Sequence, residues 1–349
     1  MPRRRATEDL PGSGGVLLPV PEDFEVEEAL PYPLDGAGPQ LFVRIEKRGR
    51  TTPEAGRHLA AALDAPAPSW AGLKDRASIA RQWLSLPWPE ARPAPEPGPI
   101  GDGLSILAST RHGHRLKTGH VKTNRFRIRL RSVPPGGFER ARAVAARLAE
   151  TGLPNRFGRQ RFGRREDNVA SARAILSGAR RRPRDRRLEK LLMSALQAEL
   201  FNQVLDRRLE DGSWRRARPG DLMKKHDSGG LFVCEDPALD QPRVETQAIS
   251  PTGPMFGKRM RAAQGEVGEL ETAIWAEGGV QDELRRRLGD GTRRLLRVPV
   301  QVELHPAEEG YWAVFTLPSG SYATVVLDEL VKPEEGEFRR AAQDGPPQS

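Results

Sequence analysis

The residues of this chain best suited to chemistry are Lys74-Asp75-Arg76. They follow a short apolar run, Trp70 to Leu73, and precede a second that ends at Trp83 and Leu84. Cations on both sides favour an ionised carboxylate. An anionic aspartate at the end of an apolar strand suits a nucleophile or a general base. The same triplet suits a solvated turn, so the surroundings have to decide. Other chemistries find little support. A single cysteine, Cys234, excludes an intrachain disulfide framework and a Cys-rich zinc site. His112, His114 and His120 lie close in sequence, but no carboxylate-flanked ligand pattern accompanies them, and no metal is expected.

The charge balance points to a partner. The 349 residues carry 56 Lys and Arg against 47 Asp and Glu, a formal net charge of +9, and only nine of the 56 are lysine. Guanidinium forks match phosphate geometry and stack on bases, so nucleic acid is favoured over a membrane surface. Arg125, Arg127, Arg129 and Arg131 alternate with Phe126, Ile128 and Leu130. That pattern predicts a strand with one packed face and one cationic face, read here as a phosphate track. Twelve arginines lie between Arg156 and Arg187, a density that repels itself unless solvated or bound to a polyanion. The basic N-terminus is followed only by Val16-Leu-Leu18, too short for a signal peptide's apolar region. No stretch approaches a membrane span, and a cytoplasmic location is expected.

The elements that must position these residues are legible in outline. Leu41, Val43 and Ile45 alternate with Phe42, Arg44 and Glu46 as a strand with one face in a core. Thr51-Thr-Pro53 predicts a helix start, with Thr52 as cap and Pro53 first in a helix running to about Leu63. Residues 88–103 read as a loop. Phe138 to Leu148 has helical spacing and ends at Gly152; residues 188–209 form an amphipathic helix. From Glu266 to Arg287 a helical pattern is broken at Gly278-Gly279, and alternation returns at Val298–Leu304, Tyr311–Leu317 and Tyr322–Leu327. Strands at both ends around a helical, Arg-rich middle predict a discontinuous α+β domain with an insertion. Residues 1–14 read as disordered.

Several stretches, in order, resemble the TruD family of pseudouridine synthases, which modify uridine 13 of transfer RNA. They are Pro21-Glu-Asp-Phe24 with Val26 and Glu28; Gly72-Leu-Lys-Asp-Arg76 with Gln82-Trp83; Asn124-Arg-Phe126; Pro154-Asn-Arg-Phe-Gly158 with Gln160-Arg-Phe-Gly163; Leu200-Phe-Asn202; and Leu317-Pro-Ser-Gly-Ser-Tyr-Ala-Thr324. The resemblance implies a catalytic domain with a mixed or antiparallel sheet built from residues 15–150 and 297–335. It implies a family-specific, mostly helical α+β insertion over 151–296, a mobile tail over 336–349 and a basic cleft for RNA. It further implies cleavage of the uracil–ribose bond, rotation of the bound base and rejoining through C5, with no cofactor or metal.

Asp75 matches the family's catalytic aspartate. Phe24, Asn124 and Tyr322 match positions that contact the substrate, and Phe126 matches an aromatic lining the pocket. Lys74 and Arg76 are the candidate counter-charges for Asp75, and Gln82, Arg125 and Arg127 are candidate supports or RNA contacts. The chain departs from the family where a lysine commonly precedes Pro-Glu-Asp-Phe; Leu18 stands near that point. Thr123 replaces the glycine before the pocket asparagine, and Tyr322 stands where phenylalanine is frequent. The expected partner is transfer RNA, with no obligate protein partner and a monomeric state. The alternative is a transfer RNA-binding protein that keeps the fold without the chemistry.

Overall fold

The computed structural model describes residues 4–163, 165–279, 285 and 287–333. The tail expected over 336–349 lies outside these residues. Along the chain come β1 (Phe24–Ala29), β2 (Gln40–Arg48), α1 (Thr52–Ala62), β3 (Ser69–Trp70), β4 (Ile79–Pro87), β5 (Gly98–Gly101), β6 (Leu104–His112) and β7 (Thr123–Arg131). Next are α2 (Gly137–Thr151), β8 (Leu153–Pro154), α3 (Asn168–Leu176), α4 (Arg186–Glu210), β9 (Leu222–Lys225), β10 (Leu231–Val233), α5 (Pro237–Glu245), β11 (Ile249–Met255), α6 (Gly265–Glu277), β12 (Thr292–Leu295) and β13 (Arg297–Val298). Last come β14 (Val302–Ala307), β15 (Gly310–Pro318) and α7 (Ala323–Val331).

Two compact units result. The first takes Ser13–Arg142 and Gln301–Gly320; the second takes the described parts of Met1–Gly12, Ala143–Val300 and Ser321–Phe338. The first unit is a mixed sheet ordered β14-β15-β7-β1-β4-β2-β6-β5, with β3 beside β4. β1 and β4 run parallel and the other pairs antiparallel. In β2 the side chains of Leu41, Val43, Ile45 and Lys47 are buried. The first three pack with Ala55 and Leu59 of α1 and with Leu84, Leu86 and Trp88. The cap of α1 is Thr51, one residue earlier than the sequence suggests. Thr51 Oγ1 accepts from Glu54 N and the Glu54 carboxylate accepts from Thr51 N, a reciprocal pair that fixes where the helix begins. The expected loop 88–103 includes the short strand β5, which pairs with β6.

The second unit is built around α4, whose buried face packs against α3, Phe256 and α6. β10, β9, β11 and β12 form its sheet. Gly278 caps α6, as the glycine pair predicts. Two sequence expectations fail here. Residues Tyr322–Leu327 are not a strand: Tyr322 is the cap of α7. The apolar positions Ala323, Val326, Leu327 and Leu330 have helical spacing, which outweighs the β-branched pair Val325-Val326. The segment from Arg4 to Gly12, read as disordered, is tied down. The buried Glu329 carboxylate accepts from Ala6 N, Thr7 N and Thr7 Oγ1 at 2.7 to 3.1 Å, and Arg5 pairs with Asp328. Burial raises the pKa of Glu329 and these donors oppose the shift.

Candidate active site

The register of the first unit gathers four of the sequence-predicted residues, Phe24, Gln82, Asn124 and Phe126, on one face of the sheet. Val26 of β1 stands beside Ala80 of β4 and Phe126 of β7, and Ala80 beside Lys47 of β2. Residues directly opposite share a face, and the side-chain period of two then adds Phe24, Glu28, Gln82 and Asn124 to it. Phe24 and Phe126 meet edge to face at 6.0 Å between ring centroids, and Phe126 lies 5.4 Å from Phe315.

Asp75 is exposed in the connection between β3 and β4. Its main-chain carbonyl accepts from Lys47 Nζ at 2.6 Å and from Ser78 Oγ at 2.7 Å. The flanking cations turn elsewhere. Lys74 is paired with the buried carboxylate of Glu28, and Arg76 with Glu54. Lys74 N donates to Thr52 Oγ1 at 2.8 Å, and Thr52 Oγ1 donates to Gln82 Oε1 at 2.9 Å. Thus the triplet is neither a free turn nor an isolated charge cluster. Lys74 is fastened to β1 and α1, Asp75 to β2 and Arg76 to α1.

The cation brought to Asp75 from outside the triplet is Lys47, which sequence reasoning missed. Its side chain is fully buried, and its Nζ donates at 2.6 Å to both Arg50 O and Asp75 O. Burial pushes its pKa down to about 8, against the pull of Asp75. The signal was present: continuing the inward series Leu41, Val43, Ile45 by two residues puts Lys47 on the core face. A lysine there is seldom buried without a partner.

Two amide groups on this face keep unused capacity. Asn124 Oδ1 and Gln82 Nε2 are shielded from solvent and have no hydrogen-bond partner among the described residues. Buried polar atoms are generally satisfied, so the half-buried Asn124 is a place where a ligand could supply the missing half of a bond, while Gln82 is fully buried. The arginine track is largely occupied. Arg127 binds Glu25 at 2.6 Å and stacks over Trp312; Arg129 donates to Glu308 O; Arg131 forks onto the buried Asp23. Only Arg125 is exposed and without a side-chain partner among the described residues. Three of the four arginines read as a phosphate track are thus already engaged, by carboxylates on the neighbouring strand β1 and on the chain before it, by the Glu308 main-chain oxygen and by the ring of Trp312.

Tyr322 belongs to the second unit, where the Pro154–Gly163 loop and its partners hold it. Its ring lies 6.0 Å from Phe157. Asn155 Oδ1 accepts from Ser321 Oγ at 2.8 Å and Arg294 Nη2 at 2.7 Å, and Asn155 Nδ2 donates to Leu295 O. Asn202 bridges both main-chain groups of Phe157. Gly158 is required by close packing, since a Cβ there would meet Thr324 Oγ1 at 2.9 Å. Among the described residues, no group of three or more His, Cys, Asp or Glu could hold a metal ion. His120 instead contacts Tyr32 and His112 contacts Asp35. No helix among the described residues is long and apolar enough to cross a membrane.

Comparison with known proteins extends over nearly the whole chain. The family model described as tRNA pseudouridine synthase D (TruD) matches residues 4–183 and 178–330. A tRNA pseudouridine synthase D of Anaeromyxobacter sp. strain Fw109-5 is 50% identical over 337 residues, 93% of this chain and 95% of that one. A protein of the same name from Thermus thermophilus is 41% identical over 334 residues, 94% of this chain and 92% of its own. In fold, the chain matches the crystal structure of a Methanosarcina mazei protein described as a tRNA pseudouridine synthase D. The TM-score is 0.75 at 22% identity, covering 95% of this chain and 96% of that one.

Proposed function

The chain belongs to the tRNA pseudouridine synthase D (TruD) family and isomerises a uridine of transfer RNA to pseudouridine, and we propose that Asp75 is the carboxylate on which this reaction turns. The observation that carries this assignment is the bracing of the Asp75 segment. Lys47, Ser78, Thr52 and Glu28 hold its main chain and neighbours, while Asp75 itself is left exposed. A solvated turn needs no buried lysine beneath it.

The chemistry explains why one anionic group suffices. The N1–C1′ bond breaks, the base turns, and C5 joins C1′; the C5 proton leaves and N1 ends protonated. Composition is unchanged, so no oxidant, reductant or co-substrate enters. The target base must leave its stack to be reached, and a flipped base is held by rings and by hydrogen bonds to its polar edge. The Phe24–Phe126 pair supplies ring surface, and Asn124 Oδ1 supplies an acceptor suited to the uracil N3–H. Gln82 acts on Thr52 and through it on the Lys74 main chain, as a support rather than a contact. Tyr322 is assigned to the substrate on the family pattern, and uridine 13 as the position modified rests on the same pattern. A cytoplasmic enzyme acting as a monomer completes this reading.

Lys47 bears on the non-catalytic alternative. The departure at Leu18 favours that alternative, and Lys47, a cation bound from β2 to the Asp75 main-chain oxygen, supports the catalytic reading against it. The test is pseudouridine mapping on bulk transfer RNA with wild-type protein and Asp75→Ala. New pseudouridine at one position with the wild type alone supports the assignment. Equal product from both proteins would overturn it.

A further inference from the structure

Beside the Asp75 segment lies an open pocket of about 500 Å³ that no step above uses. Four arginines line it: Arg48 and Arg50 from the end of β2 and the turn after it, Arg57 on α1, and Arg76, the residue after Asp75. Against them stand the carboxylates of Glu54 and Asp102. Arg48 is paired with Glu22 and Arg76 with Glu54. Arg50 donates through Nε to the main-chain oxygen of Asp102, and its Nη1 lies 3.2 Å from His58 Nδ1. Neither contact neutralises the Arg50 charge. Arg57 is exposed, with no hydrogen-bond or ion-pair partner among the described residues. The pocket thus holds two guanidinium groups, Arg50 and Arg57, that form no ion pair among the described residues, against one carboxylate, that of Asp102, which forms none either.

We propose that this pocket binds a backbone phosphate of the RNA substrate, close to the uridine presented to Asp75. Guanidinium groups match a phosphate's paired oxygens, and phosphate contacts fix the register of a nucleic acid without reading its sequence. The lining favours a phosphate whose base lies elsewhere. Among the described residues its one ring is that of His58, whose Nδ1 faces Arg50, so a free nucleotide finds no platform there on which to stack its base. The pocket is also joined to the reacting segment. Lys47 Nζ holds Arg50 O and Asp75 O together, so a phosphate that orders Arg50 steadies the support of Asp75. The inference rests on transfer RNA being the substrate, and it adds where the backbone is gripped.

The test uses Arg57→Gln and Arg50→Gln in the full chain. Affinity for transfer RNA is measured by fluorescence anisotropy over a series of potassium chloride concentrations, with pseudouridine formation measured in parallel. Removing one phosphate-binding cation lowers the slope of log affinity against log salt by about 0.7 to 0.9. Arg57→Gln is expected to show that drop and a KM raised roughly tenfold, with kcat near wild type. Arg50→Gln is expected to lower the slope and also kcat, through the shared lysine. An unchanged slope and KM in Arg57→Gln, with product still formed, overturns the pocket alone. No product from any protein, wild type included, overturns the functional reading instead. Inorganic phosphate added at constant ionic strength separates the two sources of the anion. Inhibition of the wild type that Arg57→Gln escapes, with an unchanged salt slope, assigns the pocket to free phosphate and overturns the backbone role.

Discussion

Replacing Lys47 by methionine separates a positioning role from a purely structural one. The side chains have similar length, so the slot stays filled and only the ammonium is lost. Two hydrogen bonds of 2.6 Å go, to Arg50 O and Asp75 O. Asp75 is exposed and Arg50 half-buried, so water reaches both carbonyls in part; the loss is about 1 to 2 kcal/mol each. Against it stands the relief of no longer burying a cation. The lysine's pKa lies at about 8 instead of 10.5, which at about 1.36 kcal/mol per unit is roughly 3 kcal/mol. The two effects nearly cancel, and net stability should change by less than about 2 kcal/mol. Activity should not survive so well. The tie that fixes the Asp75 main chain is gone, and a displacement of about 1 Å at a reacting group costs on the order of a hundredfold. Single-turnover pseudouridine formation should fall by roughly that factor while transfer RNA affinity holds within about threefold. A folded Lys47→Met protein with wild-type turnover refutes the positioning argument. A collapse in Tm shows instead that Lys47 belongs to the core.

Stability of the wild type should rise with pH through the Lys47 transition. The folded pKa lies below the unfolded value, so between about 8 and 10.5 the unfolded chain binds more protons and unfolding becomes less favourable as pH rises. Urea denaturation at pH 7 and 9.5 should show a gain of roughly 1 to 2 kcal/mol that Lys47→Met lacks. Asn124→Ala should slow turnover by roughly tenfold or more, since the amide accepts from the base, yet leave Tm unchanged, because its oxygen has no internal bond to lose. A clear drop in Tm would show that the amide is structural. On β7, Arg125→Gln should lower the salt slope of transfer RNA binding by about 0.7 to 0.9, whereas Arg127→Gln should not, because Glu25 and Trp312 already occupy that guanidinium. In the second unit, Asp221→Ala strands the fully buried Arg208 and should cost about 3 to 5 kcal/mol, read as a marked drop in Tm.

What could be read from the chain, and what could not, follows from the range of the interactions. Alternation along β2 and β7 and helical spacing along α2 and α4 are local patterns, and they place those elements within a residue or two. Tyr322–Leu327 misled because six residues rich in valine satisfy both periods; the helix emerges only when Leu330 is counted, and its acidic pair meets Arg5, Ala6 and Thr7, over 300 residues away. The same limit governs charge. Four alternate arginines on β7 look like a free cationic face because the acids that engage them, Glu25 and Asp23, lie about a hundred residues earlier and become neighbours through β1 pairing. Conversely, Arg48, Arg50, Arg57 and Arg76 are scattered singly, and nothing in their spacing marks them as a group. They converge because β2 ends, turns into α1 and lies beside the β4 entrance, so this group of cations is made by topology, not by a run of basic residues. Lys47 falls between these cases. Its burial follows from local alternation, but its partner, the carbonyl of Asp75, is supplied by the neighbouring strand's entry loop. A lysine that continues an apolar face therefore signals that a polar group must meet it, while the identity of that group waits on the fold.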